Sequence, residues 1–82
     1  MRIKLRPLRP PEIVPIREEF IRLDSLLKLA ALVGTGGEAK QAVADGLVKV
    51  NGEVCFQRGK KIRPGDLVEF AQNRLTVAAP EA

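Results

Sequence analysis

A short run of basic residues in the second half of the chain is the part of the sequence best suited to chemistry. The run is Arg58-Gly59-Lys60-Lys61-Ile62-Arg63, with four cations in six residues and no acid. Such a run is either a solvated loop or a binding site for a polyanion such as nucleic acid. Lys28, Lys40 and Lys49 occupy outward positions of neighbouring predicted elements. If those elements pack together, these cations form one basic patch that neutralises phosphates.

Catalytic and metal chemistry is not predicted. The chain has no histidine and a single cysteine, Cys55, which excludes an imidazole-based triad, an internal disulfide and a structural zinc site. Asp24 and Asp66 are expected at a helix cap and in a turn, and Cys55 as a small buried side chain. We therefore predict a protein that is not an enzyme and that uses neither a cofactor nor a metal ion.

The glycine-rich segment from residue 34 to residue 39 fits the G-x-G-x-x-A pattern of dinucleotide sites. That pattern requires a preceding strand, whereas here a predicted helix precedes it in a chain too short for the rest of such a fold. We therefore expect a plain turn. The backbone amides of residues 36–38 are then expected to bind at most one phosphate oxygen of a nucleic acid.

The aromatic residues are Phe20, Phe56 and Phe70, each at an apolar position of its element. All three are predicted to lie in the core. Stacking of single-stranded bases requires exposed aromatic side chains, so this mode of recognition is not predicted. The charge of the phosphates and the shape of the nucleic acid remain as the features to be recognised.

A first short helix is predicted to position Lys28. Its apolar face consists of Leu26, Leu29, Ala30 and Val33, at helical spacing. Asp24 or Ser25 is the expected N-cap, and Gly34 follows the predicted end. The preceding residues 20–23 fit either an N-terminal extension of this helix or a short strand.

A second helix is predicted from Glu38 to Asp45, and it carries Lys40. Its inner face consists of Ala39, Ala42 and Val43, and Gly46 follows its end. Because a tight glycine-rich turn joins them, the two helices are expected to form an αα-hairpin.

Strands are predicted after the helices. Val48 and Val50 alternate with Lys49, and Val54 and Phe56 alternate with Cys55, on either side of an Asn51-Gly52 turn. A strict two-residue turn would place the apolar side chains of the two strands on opposite faces, so we expect a bulge or a longer loop. Pro64 and Gly65 predict a type II turn. Further strands are predicted over 67–70 and 75–78. The fold class is therefore α+β, with the αα-hairpin packed on a small antiparallel sheet.

The chain of 82 residues has room for one small domain. Residues 1–15 hold four of the six prolines and four basic residues, which predicts an extended basic arm. Residues 16–79 form the predicted domain and residues 80–82 a tail. The longest run without a charge has nine residues, from Leu29 to Gly37, too short to cross a bilayer. We expect no membrane partner and a cytoplasmic location.

The middle of the chain resembles a known family. The residues concerned are Arg22-Leu23-Asp24-x-x-Leu27, Gly36-Gly37-Glu38-Ala39-Lys40-Gln41, Gly46-x-Val48-x-Val50-Asn51-Gly52-Glu53-Val54 and Pro64-Gly65-Asp66-x-Val68. This set is similar to the RNA-binding domain named after ribosomal protein S-four, also called the alpha-L motif, and most resembles its small stand-alone bacterial members. The resemblance implies structured RNA as the partner, of the ribosomal or transfer RNA class. It also favours the strand over the long helix at residues 20–23.

The resemblance also implies which side chains face RNA phosphates. They are Lys40 and Gln41 at the start of the second helix, Lys49 near the hairpin, and Arg58, Lys60 and Lys61 after it; the basic run adds Arg63 and the first helix Lys28. Many family members have Ser-Arg where this chain has Gly37-Glu38. An acid at that position weakens the expected contact there.

Two alternatives stay open at this point. Val50-Asn51-Gly52-Glu53 and Gly65-Asp66-x-Val68-Glu69-Phe70 also resemble ubiquitin-like β-grasp sulfur carriers, although the chain ends without their C-terminal Gly-Gly. A module that binds an acidic protein partner would use the same basic patch. Beside structured RNA, the RNA-binding prediction itself includes a protein partner in RNA modification or ribosome function.

Overall fold

The computed structural model describes residues 12–80. Its elements, in chain order, are β1 (Glu12–Pro15), β2 (Ile21–Arg22), α1 (Leu23–Leu29), α2 (Gly36–Ala44), β3 (Val48–Val50), β4 (Glu53–Val54), β5 (Lys61–Ile62), β6 (Leu67–Phe70) and β7 (Asn73–Ala78). Over these residues no helix combines the length and the apolar character needed to cross a bilayer.

The strands form two sheets. The larger sheet has five strands in the order β1-β7-β6-β3-β4, and the smaller one pairs β2 with β5. β1 runs parallel to β7, while the other neighbours in the larger sheet are antiparallel. The α+β class is confirmed, but the sheet is mixed and larger than predicted. The last four residues of the predicted arm form β1; residues 1–11 lie outside the described residues.

One hydrophobic core joins the helices to the larger sheet. The helices contribute Leu23, Leu26, Leu27, Ala39, Ala42 and Val43, and the sheet contributes Val14, Val48, Val50, Val68, Leu75 and Val77. Leu26 and Leu75 are fully buried. Burial of an aliphatic side chain of this size contributes about 1.5–3 kcal/mol. The helices are thus fixed against one face of the sheet, and Lys49, Glu69 and Arg74 lie on the opposite face.

Residues 20–23, for which the sequence allowed either a helix extension or a short strand, contain the short strand β2. Ile21 pairs with Ile62 and Arg22 with Lys61, and α1 begins directly afterwards. The strand interpretation is confirmed. Because the helix begins at Leu23, its buried face is Leu23, Leu26 and Leu27, at positions i, i+3 and i+4.

The predicted apolar face of α1 was therefore wrong in part. Leu29 is 60% exposed, and Val33 lies beyond the helix, although it is buried. The N-cap is Arg22, without a side-chain cap bond, rather than Asp24 or Ser25. The helix ends before Gly34 because Ala31 adopts the left-handed conformation with φ of 60°. The amides of Ala31 and Leu32 then donate to the carbonyls of Lys28 and Leu27, which closes the helix.

α2 agrees with its prediction in its buried face, Ala39, Ala42 and Val43. It begins two residues earlier than predicted, at Gly36, because the Thr35 hydroxyl accepts a hydrogen bond from the Glu38 amide over 3.1 Å. At its other end Gly46 has a φ of 73°, and the Leu47 amide donates to the Ala42 carbonyl. This Schellman arrangement turns the chain into β3.

The β3–β4 turn contradicts the predicted bulge. Val50 pairs with Glu53 and Lys49 with Val54, so the turn has two residues. Asn51 and Gly52 have φ angles of 52° and 88°, as in a type I′ turn. Since the register is strict, Cys55 packs against the core while Val54 faces outward.

The prediction for the aromatic residues was also wrong in part. Phe56 is 66% exposed, which places most of its ring in solvent. Phe20 and Phe70 are half-buried, and Phe70 packs against the core. The incorrect assumption was that apolar residues on both strands of the β3–β4 hairpin face inward. Phe56 instead follows β4 on the outward side.

The two sequence motifs Asn51-Gly52 and Pro64-Gly65-Asp66 meet in space. The Asn51 side-chain amide donates to Asp66 Oδ1 over 3.1 Å and its oxygen accepts from the Leu67 amide over 2.9 Å. Asp66 Oδ2 accepts from the Arg63 amide over 2.8 Å. Gly65 has a φ of 95°, which confirms the type II turn. We call Asn51, Asp66 and the backbone bound to them the hairpin junction.

Candidate nucleic-acid interface

The basic segment 58–63 is fixed to the start of α1 through its backbone. The amide of Leu23 donates to the carbonyl of Lys60 over 2.9 Å, and the amide of Asp24 donates to the carbonyl of Arg58 over 3.0 Å. Amides in the first turn of a helix have no partner within the helix. Here the basic segment supplies the missing acceptors, so its backbone is held while the side chains of Arg58 and Lys60 remain exposed.

The β2–β5 pairing adds two more cations. Arg22 lies opposite Lys61. Side chains alternate between the two faces of a strand, and the neighbouring Ile62 is fully buried, so Arg22 and Lys61 both face outward and are exposed. A Cβ atom placed on Gly59 would lie 3.6 Å from the nearer guanidinium nitrogen of Arg22, Nη2. The guanidinium therefore covers the turn at Gly59. We call Arg22, Arg58, Lys60 and Lys61 the basic cluster.

One carboxylate lies in the basic cluster. Asp24 Oδ2 is 3.1 Å from Arg22 Nη2, and the Asp24 side chain is 21% exposed. Asp24 Oδ1 accepts a hydrogen bond from the Ser25 amide over 2.8 Å. An ion pair at the surface is weak, typically about 0.2–1 kcal/mol. The pair orients Arg22 and leaves the cluster with four cations against one acid.

Lys61 also contacts an aromatic ring. Its ammonium nitrogen lies 4.9 Å from the centre of the Phe20 ring. A cation–π contact at an exposed site contributes about 0.5–1 kcal/mol. Phe20 therefore holds the Lys61 side chain in place on the surface and does not fill the core.

Two further predicted site residues lie next to the basic cluster. Lys28 is four residues after Asp24 in α1, so the two share one face of the helix. Arg63 is the first residue of the type II turn that follows β5, and its side chain is exposed. Lys28 thus adjoins the basic cluster through Asp24, and Arg63 adjoins it two residues after Lys61.

The predicted site residues on α2 have other surroundings. Lys40 is exposed, but the Gln41 side-chain amide donates to Asp45 Oδ1 over 2.8 Å. At the start of α2 the Glu38 carboxylate accepts from the Gly34 amide over 3.2 Å, and the Glu38 amide is bound to Thr35. The segment is a capped turn, as expected. A phosphate would meet the Glu38 carboxylate there.

Lys49 lies on the outward face of the larger sheet. Its cross-strand neighbours are Val54 on one side and Glu69 on the other. A carboxylate directly opposite a lysine reduces the field that the lysine presents to a phosphate. Among the predicted site residues on the described part of the chain, the structure thus groups Arg58, Lys60 and Lys61 with Lys28 and Arg63 nearby. It leaves Lys40, Gln41 and Lys49 on separate elements.

Comparison with known proteins assigns a family to this fold. A family model described as the S4 domain matches residues 14–78. The chain belongs to the S4 domain family. This finding confirms the resemblance drawn from the sequence, and it leaves the β-grasp sulfur carriers without support.

Two bacterial proteins are similar to this S4 domain over most of its length. One, from Bacillus subtilis, is named a probable ribosome maturation protein, RlbA, and is 41% identical over 57 residues, 70% of this chain and 80% of RlbA. The other, from Escherichia coli, is named a putative RNA-binding protein, YbcJ, and is 41% identical over 63 residues, 77% of this chain and 90% of YbcJ.

Two solved structures share the fold of this S4 domain. The solution structure of Escherichia coli YbcJ, described as revealing an alpha-L motif involved in RNA binding, matches with a TM-score of 0.67 and 30% identity over 95% of this chain and all of that one. The 30S ribosomal protein S4e of Thermoplasma acidophilum matches with a TM-score of 0.54 over 71% of this chain and 31% of that one. At 22% identity, the second match shows the fold alone.

Sequence reasoning missed Arg22 as a site residue of this S4 domain. Arg22 was used as part of a motif, but its side chain was not placed with the cations of the basic segment. A short strand at residues 20–23 would have indicated that Arg22 faces outward, because the next residue, Leu23, is buried. The position of Arg22 beside Lys61 depends on the pairing of β2 with β5.

Proposed function

We propose that this protein is a non-catalytic RNA-binding protein that contacts the phosphate backbone of structured RNA, of the ribosomal or transfer RNA class. The observation that carries the proposal is the basic cluster, whose backbone is bound to α1 and whose four cationic side chains are exposed. Lys28 and Arg63 lie beside it, and the proposal includes Lys40, Gln41 and Lys49 as further contacts on separate elements.

The family supports this proposal. Two S4 domain relatives similar over most of this chain carry names that refer to RNA binding and to ribosome maturation. Ribosomal RNA is therefore the first RNA class to test. A protein partner in ribosome function, and a cytoplasmic location, belong to the same proposal.

The mechanism is electrostatic and depends on shape. Each lysine or arginine that neutralises a phosphate releases condensed counterions, so affinity falls as salt rises. With about five phosphate contacts, the plot of log affinity against log salt has a slope of about −3.5 to −4.5. The major groove of A-form RNA is too narrow for side chains to read, so the cations follow the phosphates of a folded RNA and not its paired bases.

The proposal is tested by fluorescence anisotropy with a labelled RNA hairpin and an unstructured strand of equal length. We expect tighter binding of the hairpin and a loss of affinity between two salt concentrations. Failure to bind either RNA at low salt would contradict the proposal.

Two single variants form a matched pair for this measurement. Lys60→Ala removes one exposed cation from the basic cluster, and Arg17→Ala removes one exposed cation outside it. We expect Lys60→Ala to weaken hairpin binding about fivefold at 0.1 M salt, since one phosphate contact is lost. Arg17→Ala should weaken binding by less than about twofold. Equal effects would assign the binding to net charge and not to the basic cluster.

A further inference from the structure

Phe56 is an aromatic side chain exposed beside the basic cluster, and the phosphate mechanism does not use it. Its ring is 66% exposed, and Val54, which lines the same groove, is 44% exposed. Exposure of two large apolar side chains close together is costly in water, because full burial of such a side chain contributes about 1.5–3 kcal/mol. Such a group is typical of a surface that a ligand covers.

The Phe56 ring is held in position by the backbone of Gly46. A Cβ atom placed on Gly46 would lie 3.2 Å from Cε1 and 3.3 Å from Cζ of the ring. The absence of a side chain at residue 46 therefore lets one edge of the ring rest on the chain. Because this contact limits the positions open to one edge of the ring, a ligand that stacks on it pays less conformational entropy.

A groove of about 470 Å³ runs past the ring, and Lys60 lines it together with Phe56 and Gln57. Lys60 is also a member of the basic cluster, and its backbone joins the two sites: its amide donates to the Gln57 carbonyl and its carbonyl accepts from the Leu23 amide. The groove also holds one carboxylate among its described lining residues, Glu53 beside the β3–β4 turn.

We propose that Phe56 is a stacking platform for an unpaired nucleobase of the bound RNA, with the phosphate of that nucleotide on Lys60. This inference rests on the proposed function and adds a second mode of recognition to it. An aromatic ring next to a lysine matches a nucleotide, which has a flat base on one side and an anion on the other. The amide of Gln57 and the carboxylate of Glu53 suit the hydrogen-bonding edge of a base.

An apolar protein side chain would use the ring but not Lys60, which is why the groove favours a nucleotide. The proposal thus predicts a preference for RNA with unpaired bases next to a helix. Phosphate contacts alone do not distinguish such an RNA from a plain duplex.

The test uses the fact that the chain has neither tryptophan nor tyrosine. Phe56→Trp introduces a single indole, whose emission reports only on this position. Ile13→Trp is the matched control, because Ile13 is 69% exposed and lies on β1, at the opposite edge of the five-stranded sheet from β4. Each variant is titrated with a hairpin that has an unpaired loop and with a blunt duplex of the same stem, while anisotropy of the labelled RNA is recorded in parallel.

The expected result is a saturable loss of emission from Phe56→Trp with the looped hairpin, with the same midpoint as the anisotropy change. The blunt duplex should leave the emission unchanged, and so should either RNA with Ile13→Trp. Phe56→Leu, which keeps an apolar side chain but has no ring, should bind the looped hairpin about tenfold more weakly with an unchanged salt slope.

Three results would overturn the proposal. Binding seen by anisotropy with unchanged emission at position 56 would remove the stacking site and leave the phosphate mechanism in place. Absence of binding in both signals would remove the proposed function as well. Emission that changes with protein concentration alone, without RNA, would assign the groove to a second copy of the chain.

Discussion

In the hairpin junction the polar side chains are bound to one another, whereas in the basic cluster the backbone is bound and the side chains face solvent. Asn51 and Asp66 hydrogen-bond to each other and to neighbouring amides. Arg58 and Lys60 give their carbonyl oxygens to α1 and leave their cations free. Both regions include residues from the motifs that resemble the family, but only the second has groups available for a ligand.

This difference shows that a residue in a family motif can serve either the fold or the binding of a ligand. The residues Asn51-Gly52 and Pro64-Gly65-Asp66 are recognisable because they fix two turns and the register between β3 and β6. They position the interface without contacting RNA in our account. Changes in the hairpin junction should therefore alter stability, and changes in the basic cluster should alter binding.

The largest expected effect is that of Asp66→Ala on stability. The variant loses two hydrogen bonds to a charged group, one from the Asn51 side chain and one from the Arg63 amide. At about 1.5 kcal/mol for each bond, the free energy of unfolding should fall by about 3 kcal/mol. Urea unfolding followed by circular dichroism measures this loss.

The control for Asp66→Ala is Asp45→Ala. Asp45 is exposed and its carboxylate accepts one bond, from Gln41, so its removal should cost about 0.5 kcal/mol. At a temperature where Asp66→Ala is folded, its salt slope for RNA binding should equal that of the unchanged chain. An altered slope would show that the hairpin junction contributes to binding, and the separation of the two regions would be wrong.

A smaller effect is expected for Arg22→Ala, and it appears in binding. The loss of one phosphate contact should make the salt slope shallower by about 0.7–0.9 and weaken hairpin binding about fivefold at 0.1 M salt. Arg22→Lys is the matched variant, because it keeps the charge. If both variants weaken binding equally, Arg22 acts through the fold and not through a phosphate.

The smallest effect, and one of opposite sign, is expected for Asp24→Asn. This change removes the carboxylate beside Arg22 and retains an oxygen that can accept from the Ser25 amide. RNA affinity should rise about threefold, since a like charge no longer repels the phosphates near the basic cluster. Asp45→Asn changes the net charge equally at the C-cap of α2 and should raise affinity less. Fluorescence anisotropy at one low salt concentration measures the RNA affinities of the two variants for this comparison.

Local features of the fold were predictable from the sequence. The type II turn at Gly65 and the buried face of α2 follow from residue types and spacing, whereas the strand before α1 was favoured only by the family resemblance. The parallel pairing of β1 with β7 was not predictable, because it depends on contacts between the two ends of the chain. The end of α1 was also missed, since alanine rarely adopts the left-handed conformation found at Ala31.

The candidate site was predictable in its residue types but not in its grouping. The basic segment is visible as four cations in six residues. The segment is attached to α1 through backbone hydrogen bonds, which residue types do not reveal. For the same reason the pairing that brings Arg22 to Lys61 was not predicted, and Arg22 was missed. Phe56 was assigned to the core because both strands of the hairpin were assumed to face inward, and the strict register of the turn makes that impossible.

The central claim is that the cations of the basic cluster carry the binding of RNA. It is tested most directly by the salt dependence of hairpin binding for the unchanged chain and for the double variant Lys60→Ala with Lys61→Ala. Circular dichroism serves to verify that the double variant is folded. Our account predicts a slope of about −3.5 to −4.5 for the unchanged chain and a slope shallower by one to two units for the double variant. An unchanged slope in the folded double variant would contradict it.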